Sequence, residues 1–151
     1  MGPGFCGGAR KVITVKINQI TEQIIGAAIA VHRRLGPGLL ESAYEACLAY
    51  ELEKLGLYIE RQKPVPLIYD EVKLECGFRA DLVVANLVAV ELKCKEQIHP
   101  IDEAQVLSHL RLLGLPVGLL INFQVVVLKH GIRRIVNNYR EEVLAATQKK
   151  I

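Results

Sequence analysis

Between Arg79 and Lys95 the chain reads RADLVVANLVAVELKCK. Asp81 and Glu91 interrupt two runs of Val, Leu and Ala that otherwise look like buried strands, and carboxylates are seldom buried without a partner. Asn86 is the midpoint between the two acids. A hairpin turning there through a three-residue loop sets position 81 opposite position 91, with Cβ atoms about 4.5–5.5 Å apart. Two like charges at that range repel each other unless a cation lies between them. Mg²⁺ suits the place, because it is held by one or two carboxylates and keeps several waters for a substrate phosphate.

Strand alternation puts Lys93 on the same face as Glu91. Its ammonium could orient or activate a water and stabilise charge developing on a phosphate. The same side chains could instead form two surface ion pairs, Asp81 with Arg79 and Glu91 with Lys93, which are common and individually weak. The symmetric turn, the acids in register, the lysine at i+2 and a following helix bearing Gln105 and His109 favour a site.

The elements that must position these residues follow from periodicity. A first helix is expected from an N-cap at Asn18 to the Gly-Pro-Gly break at 36–38, and a second from Leu39 to Leu55 with Gly56 beyond it. From Lys63 the period is two. PVPLIYDEVKLEC reads as a short hairpin turning at Asp70-Glu71, with Pro64 and Pro66 confining its first strand to a sheet edge. GFRADLVVA and LVAVELKCK follow as separate strands.

A helix over HPIDEAQVLSHLRLLG starts near Asp102, ends at Gly114 and is expected to face the core through Ala104, Leu107, Leu110 and Leu113. VGLLINF and VVVLKHGIRRIV supply two more strands, both apolar enough to be central, before a short helix from Asn137. The order predicts an α/β (α+β) fold, a central mixed sheet flanked by helices.

Composition bounds the function. The 151 residues suit one domain, expected over 16–151 after a flexible lead-in over 1–15. No long apolar run spans a bilayer, and no basic-then-apolar leader opens the chain, so a cytoplasmic location is expected. Cys6, Cys47, Cys76 and Cys94 lack C-x-x-C spacing and read as reduced thiols rather than a zinc site. A net charge of +3 permits nucleic-acid binding without arguing for it.

Three basic groups, His32 to Arg34, Lys93 to Lys95 and Lys129 to Arg134, could converge on one phosphate-binding face or be solvated ends of elements. Absence of Trp leaves few platforms for stacking bases, so contacts to the nucleic-acid backbone are expected. Tyr44 reads as a packing residue whose hydroxyl bonds an acid, and Glu45 as a surface residue.

Asp81, nine residues, then Glu91-Leu92-Lys93 resembles the D…(D/E)-x-K signature of the PD-(D/E)XK nuclease superfamily. Gly38-Leu39-Leu40-Glu41-Ser42-Ala43-Tyr44 resembles the motif that names its small GxxExxY family. GFRADLVV, VELK, EAQVLSHLRLLGLPVGLLINF and GIRRIV follow in that family's order, across residues 16 to 136. Ala80 stands where the superfamily signature has Pro, a change of backbone shape rather than of chemistry.

The resemblance implies a restriction-endonuclease-like core and hydrolysis of nucleic-acid phosphodiester bonds, with DNA the expected partner. It implies that Asp81 and Glu91 bind Mg²⁺ or Mn²⁺, that Glu41 adds a third acid on the metal side, that Lys93 serves the attacking water and that Gln105 lies beside them. The competing reading is a non-catalytic nucleic-acid-binding or assembly module that keeps the fold. Its motivation is an apolar composition that a homodimer face could help to cover.

Overall fold

The computed structural model describes residues 5–137, and their side chains from 16 onward except Cys76. Two helices, α1 (Phe5–Leu35) and α2 (Glu41–Lys54), precede three strands, β1 (Ile59–Tyr69), β2 (Val72–Val84) and β3 (Val88–Lys93). Helix α3 (Pro100–Leu113) then leads to β4 (Val117–Asn122), a 3₁₀ turn (Leu128–Gly131) and β5 (Ile132–Val136). The helix expected after Asn137 lies outside the described residues.

The five strands lie in chain order. β1, β2 and β3 form an antiparallel meander, α3 crosses over to bring β4 parallel to β3, and β5 returns antiparallel to β4. This is a mixed sheet with helices on both faces, the restriction-endonuclease-like core. One face buries Leu82, Val84, Val90 and Leu92 against α1 and α2. The other buries Val83 and Ala89 against Val106 and Leu110 of α3. Such two-sided burial explains why β4 is buried at all six positions and reads as an unbroken apolar run.

The hairpin about Asn86 has the expected register, Val84 opposite Val88 and Leu82 opposite Val90. Ala85 and Asn86 take positive φ, and Leu87 N–H donates to Val84 O at 3.0 Å. β1 is an edge strand, as its prolines require.

Several expectations are corrected. Asn18 does not cap a helix, because α1 runs through it; its Oδ1 instead accepts a bond from Arg134 Nη2 at 2.8 Å. VKLEC and GFRADLVV are one strand, β2, paired to β1 on both sides of a register shift between Val65 and Leu67, so the Asp70-Glu71 hairpin and the residues around Asp81 belong to one continuous strand. Val125 to Val127 are not in a strand, and β5 is a short sheet edge rather than a central strand.

Helix α3 buries Asp102, Val106, His109 and Leu110, while Ala104 is exposed. Two of these buried residues are polar, so a hydrophobic pattern alone misses the inward face. Gly118 lets α3 lie close on β4: a Cβ there would stand 2.7 Å from Val106 Cγ1 and 3.2 Å from Leu110 Cδ1. Gly118→Ala is therefore expected to destabilise the protein by about 1–3 kcal/mol through overpacking, read from the midpoint of urea unfolding.

No described helix is long and apolar enough to cross a membrane. Cys47 and Cys94 are free thiols.

Candidate active site

Regular pairing between β2 and β3 extends from the Asn86 turn only to Leu82 and Val90. Beyond that pair Asp81 takes over: its Oδ2 accepts the Leu92 backbone N–H at 2.8 Å. Its Oδ1 accepts from Gln62 Nε2 at 3.3 Å. The strands part, and the carboxylate that stands at the opening is also the one that satisfies the exposed ladder.

The backbone at the end of β3 is held by side chains from elsewhere in the chain. Glu41 Oε1 accepts Cys94 N–H at 3.3 Å and Asn122 Oδ1 accepts Lys95 N–H at 3.1 Å, while Asn122 Nδ2 donates to Lys95 O at 2.8 Å. Lys95 Nζ reaches both oxygens of Asp102, at 3.0 and 2.9 Å. The His99 N–H bond and then Lys95 hold the Asp102 carboxyl below its usual range, and the same carboxylate closes the first turn of α3.

Glu41 is placed by the Gly-Pro-Gly loop and Tyr44. Gly38 has φ +104°, a backbone state that favours glycine, and Glu41 follows as the first residue of α2. Tyr44 is fully buried, stacked on Phe123 with ring centroids 4.3 Å apart. Its hydroxyl donates to Gly36 O at 2.5 Å and accepts Leu39 N–H at 3.2 Å, so it bonds loop backbone rather than an acid. Gln124 Oε1 accepts Gly38 N–H at 3.1 Å from the chain after β4. The Tyr and Phe of two distant motifs thus form one contact that sets the loop before Glu41.

Glu91 and Lys93 point to the α3 face. Glu91 is 5% exposed, its Oε1 lies 2.9 Å from Nδ1 of buried His109, and Lys93 Nζ donates to Gln105 Oε1 at 3.1 Å. Burial raises the Glu91 pKa most; His109 opposes the rise and the adjacent Asp81 adds to it. Asp81 therefore borders both sides of the opening. On the other side it shares a pocket of about 830 Å³ with Glu41, Glu45, Gln62, Lys95 and Glu96.

Glu45 is buried rather than on the surface. It accepts from Gln62 Nε2 at 2.6 Å and pairs with Arg61 at 3.3 Å. Gln62 has φ +49° within β1, an uncommon state for a non-glycine residue, at the position where β1 passes Asp81. Gln62 was not legible from its surroundings. Asn122 did leave a signal, as the lone amide in the apolar run VGLLINF.

Several members of the three basic groups are engaged by the fold. His32 bonds Val125 O at 2.8 Å, Lys93 and Lys95 are engaged as above, and Arg134 bonds Thr21 and Asn18. Arg133 lies 3.8 Å from Glu103.

The donors suit a hard divalent cation: two adjacent carboxylates at the opening, which repel each other in its absence. Among the described residues no group of three or more His, Cys, Asp or Glu side chains is gathered closely enough to hold a metal ion. Glu41 lines the same pocket as Asp81 and accepts the Cys94 N–H. A cation at the pair would complete its shell with water or substrate oxygens.

The sequence model described as the PD-(D/E)XK nuclease superfamily matches residues 18–135. The chain belongs to that superfamily, whose nucleases generally use divalent metals and act on nucleic acid. Comparison with the curated proteins and with the solved structures found no match.

Because the folded-state pKa of Glu91 is raised above the ordinary 4.5, the fold favours its neutral form. Its stabilising contribution is complete below pH 4.5 and is lost as pH rises through the folded pKa. Glu91→Gln stays neutral and can still accept from His109. It is expected to raise the urea midpoint of metal-free protein at pH 8 and to change it little at pH 4; an equal offset at both pH values would contradict this.

Proposed function

We propose that the protein is a metal-dependent nuclease of the GxxExxY type, acting on DNA in the cytoplasm with Mg²⁺ or Mn²⁺. The observation that carries this reading is the pair of adjacent acids, Asp81 and Glu91, at the opened end of the β2–β3 hairpin, with Lys93 two residues on. Asp81 and Glu91 hold the cation. When bound, it supplies Lewis-acid polarisation of the phosphate and offsets charge in the transition state.

Lys93, restrained by Gln105, directs the attacking water and stabilises the developing negative charge. Glu41 contributes its acid from the pocket wall while bracing the end of β3 through Cys94. The pocket carries Glu41, Glu45, Asp81 and Glu96 against Lys95, a balance that repels a bare phosphodiester. Cleavage should therefore depend on added divalent cation.

Wild-type protein with plasmid, linear or single-stranded DNA is expected to cleave in Mg²⁺ or Mn²⁺ and to stop when EDTA is added. Lys93→Ala should lower the rate by about 10²–10³-fold. Inactivity of the wild type on DNA and RNA alike, or undiminished cleavage by Lys93→Ala, would sink the reading.

The assembly reading is favoured by one observation. The outer part of the β1–β2 hairpin pairs Leu67 with Leu74 and Tyr69 with Val72 on one face, and Tyr69 and Val72 are 73% and 56% exposed. If this face joins two copies, light scattering gives a dimer mass for wild type and a monomer mass for the Tyr69→Lys, Val72→Lys double variant. A monomeric wild type would exclude it.

A further inference from the structure

His109 is 3% exposed, with Nδ1 against Glu91 Oε1 at 2.9 Å and Nε2 buried without a hydrogen-bond partner among the described residues. At a pH where Glu91 is ionised its carboxylate has no proton to give, so the bond to it makes Nδ1 the donor. In the neutral ring Nε2 then carries only a lone pair. A buried acceptor without a partner is tolerated better than an orphaned N–H, so the unpartnered nitrogen agrees with this tautomer. Phe78 lies beside the imidazole, with ring centroids 5.8 Å apart.

Helix α3 and strand β3 match in rise. Gln105 and His109 are four residues apart on the helix, an axial rise of about 6 Å. Glu91 and Lys93 are two residues apart on the strand, about 6.6 Å. One turn of α3 therefore sets one polar group against each motif residue, Gln105 on Lys93 and His109 on Glu91.

We infer that His109 is a positioning residue, whose Nδ1–H fixes the plane of the Glu91 carboxylate and thereby aims its remaining lone pairs toward the Asp81 side. Unrestrained, a glutamate turns about its last side-chain torsion, which is broad. The bond removes that freedom at one oxygen. This role rests on the reading of Asp81 and Glu91 as the cation-holding pair.

The test uses the full chain at pH 8 with Mn²⁺ alone as the probe, by calorimetry, beside a nitrogen-15 NMR spectrum of metal-free wild type at the same pH. The spectrum should show His109 protonated at Nδ1 and bare at Nε2; the opposite tautomer would overturn the assignment without any metal present. His109→Asn puts an amide N–H near the place of Nδ1, whereas His109→Gln puts it near Nε2. His109→Asn should keep Mn²⁺ affinity near that of wild type.

His109→Gln and His109→Leu should weaken Mn²⁺ binding by about 10–100-fold, as loss of an outer-shell partner commonly does. If His109→Leu does not fold, the Asn and Gln variants decide: equal loss in both, or none in either, overturns the positioning role. A wild type that binds no Mn²⁺ overturns the cation reading itself, and the positioning role with it. The NMR result still reports on the His109–Glu91 bond independently.

Discussion

The bond from Leu92 N–H to the Asp81 carboxylate is the constraint on which the rest of the site depends. A buried backbone N–H needs an acceptor, and a ladder that opens ordinarily leaves orphans. Here the strand that departs supplies the acceptor from its own side chain. Glu41 and Asn122 do the same for Cys94 and Lys95, so backbone amides at the end of β3 are met by side chains from β2, α2 and β4. At these three positions the sheet opens next to its core with the backbone N–H bonded.

This arrangement sets the site's electrostatics. Asp81 is tied to backbone and to Gln62, so it cannot swing away from Glu91, and Glu91 is buried behind it against α3. A buried carboxylate held beside a half-buried one costs stability while both are ionised. A structure selected only for stability would replace one of them. Gln62 at φ +49° is a second departure from regular geometry in the same place, bridging Glu45 and Asp81. Local strain and unfavourable charge gather where superfamily membership expects chemistry.

Much of the fold was legible in the residues. Turns at Asp70-Glu71 and Asn86, the edge role of the proline-bearing strand, Gly56 beyond α2 and Gly114 ending α3 all follow from local backbone preferences, and local preferences are written in short stretches. Elements whose limits depend on packing were not legible. Asn18 could cap a helix but lies inside one, VVV has strand-like residues but no neighbour to pair with, and the inward face of α3 carries Asp102 and His109. Glu45 and Tyr44 found partners in Gln62, Gly36 and Leu39, which spacing along α2 cannot reveal.

The amino-acid order by itself determined that the hairpin would bring Asp81 near Glu91 and that Lys93 would share the strand side of Glu91. A turn centred on Asn86 sets the register, and the two-residue repeat of a strand sets the side. Tertiary structure alone decided that the hairpin opens beyond Leu82 and Val90, that His109 and Gln105 restrain Glu91 and Lys93, and that Tyr44 meets Phe123. Those outcomes depend on how α2, α3 and β4 stack against the sheet. Burial and hydrogen bonding between residues far apart in the chain select them, and no local pattern encodes that choice.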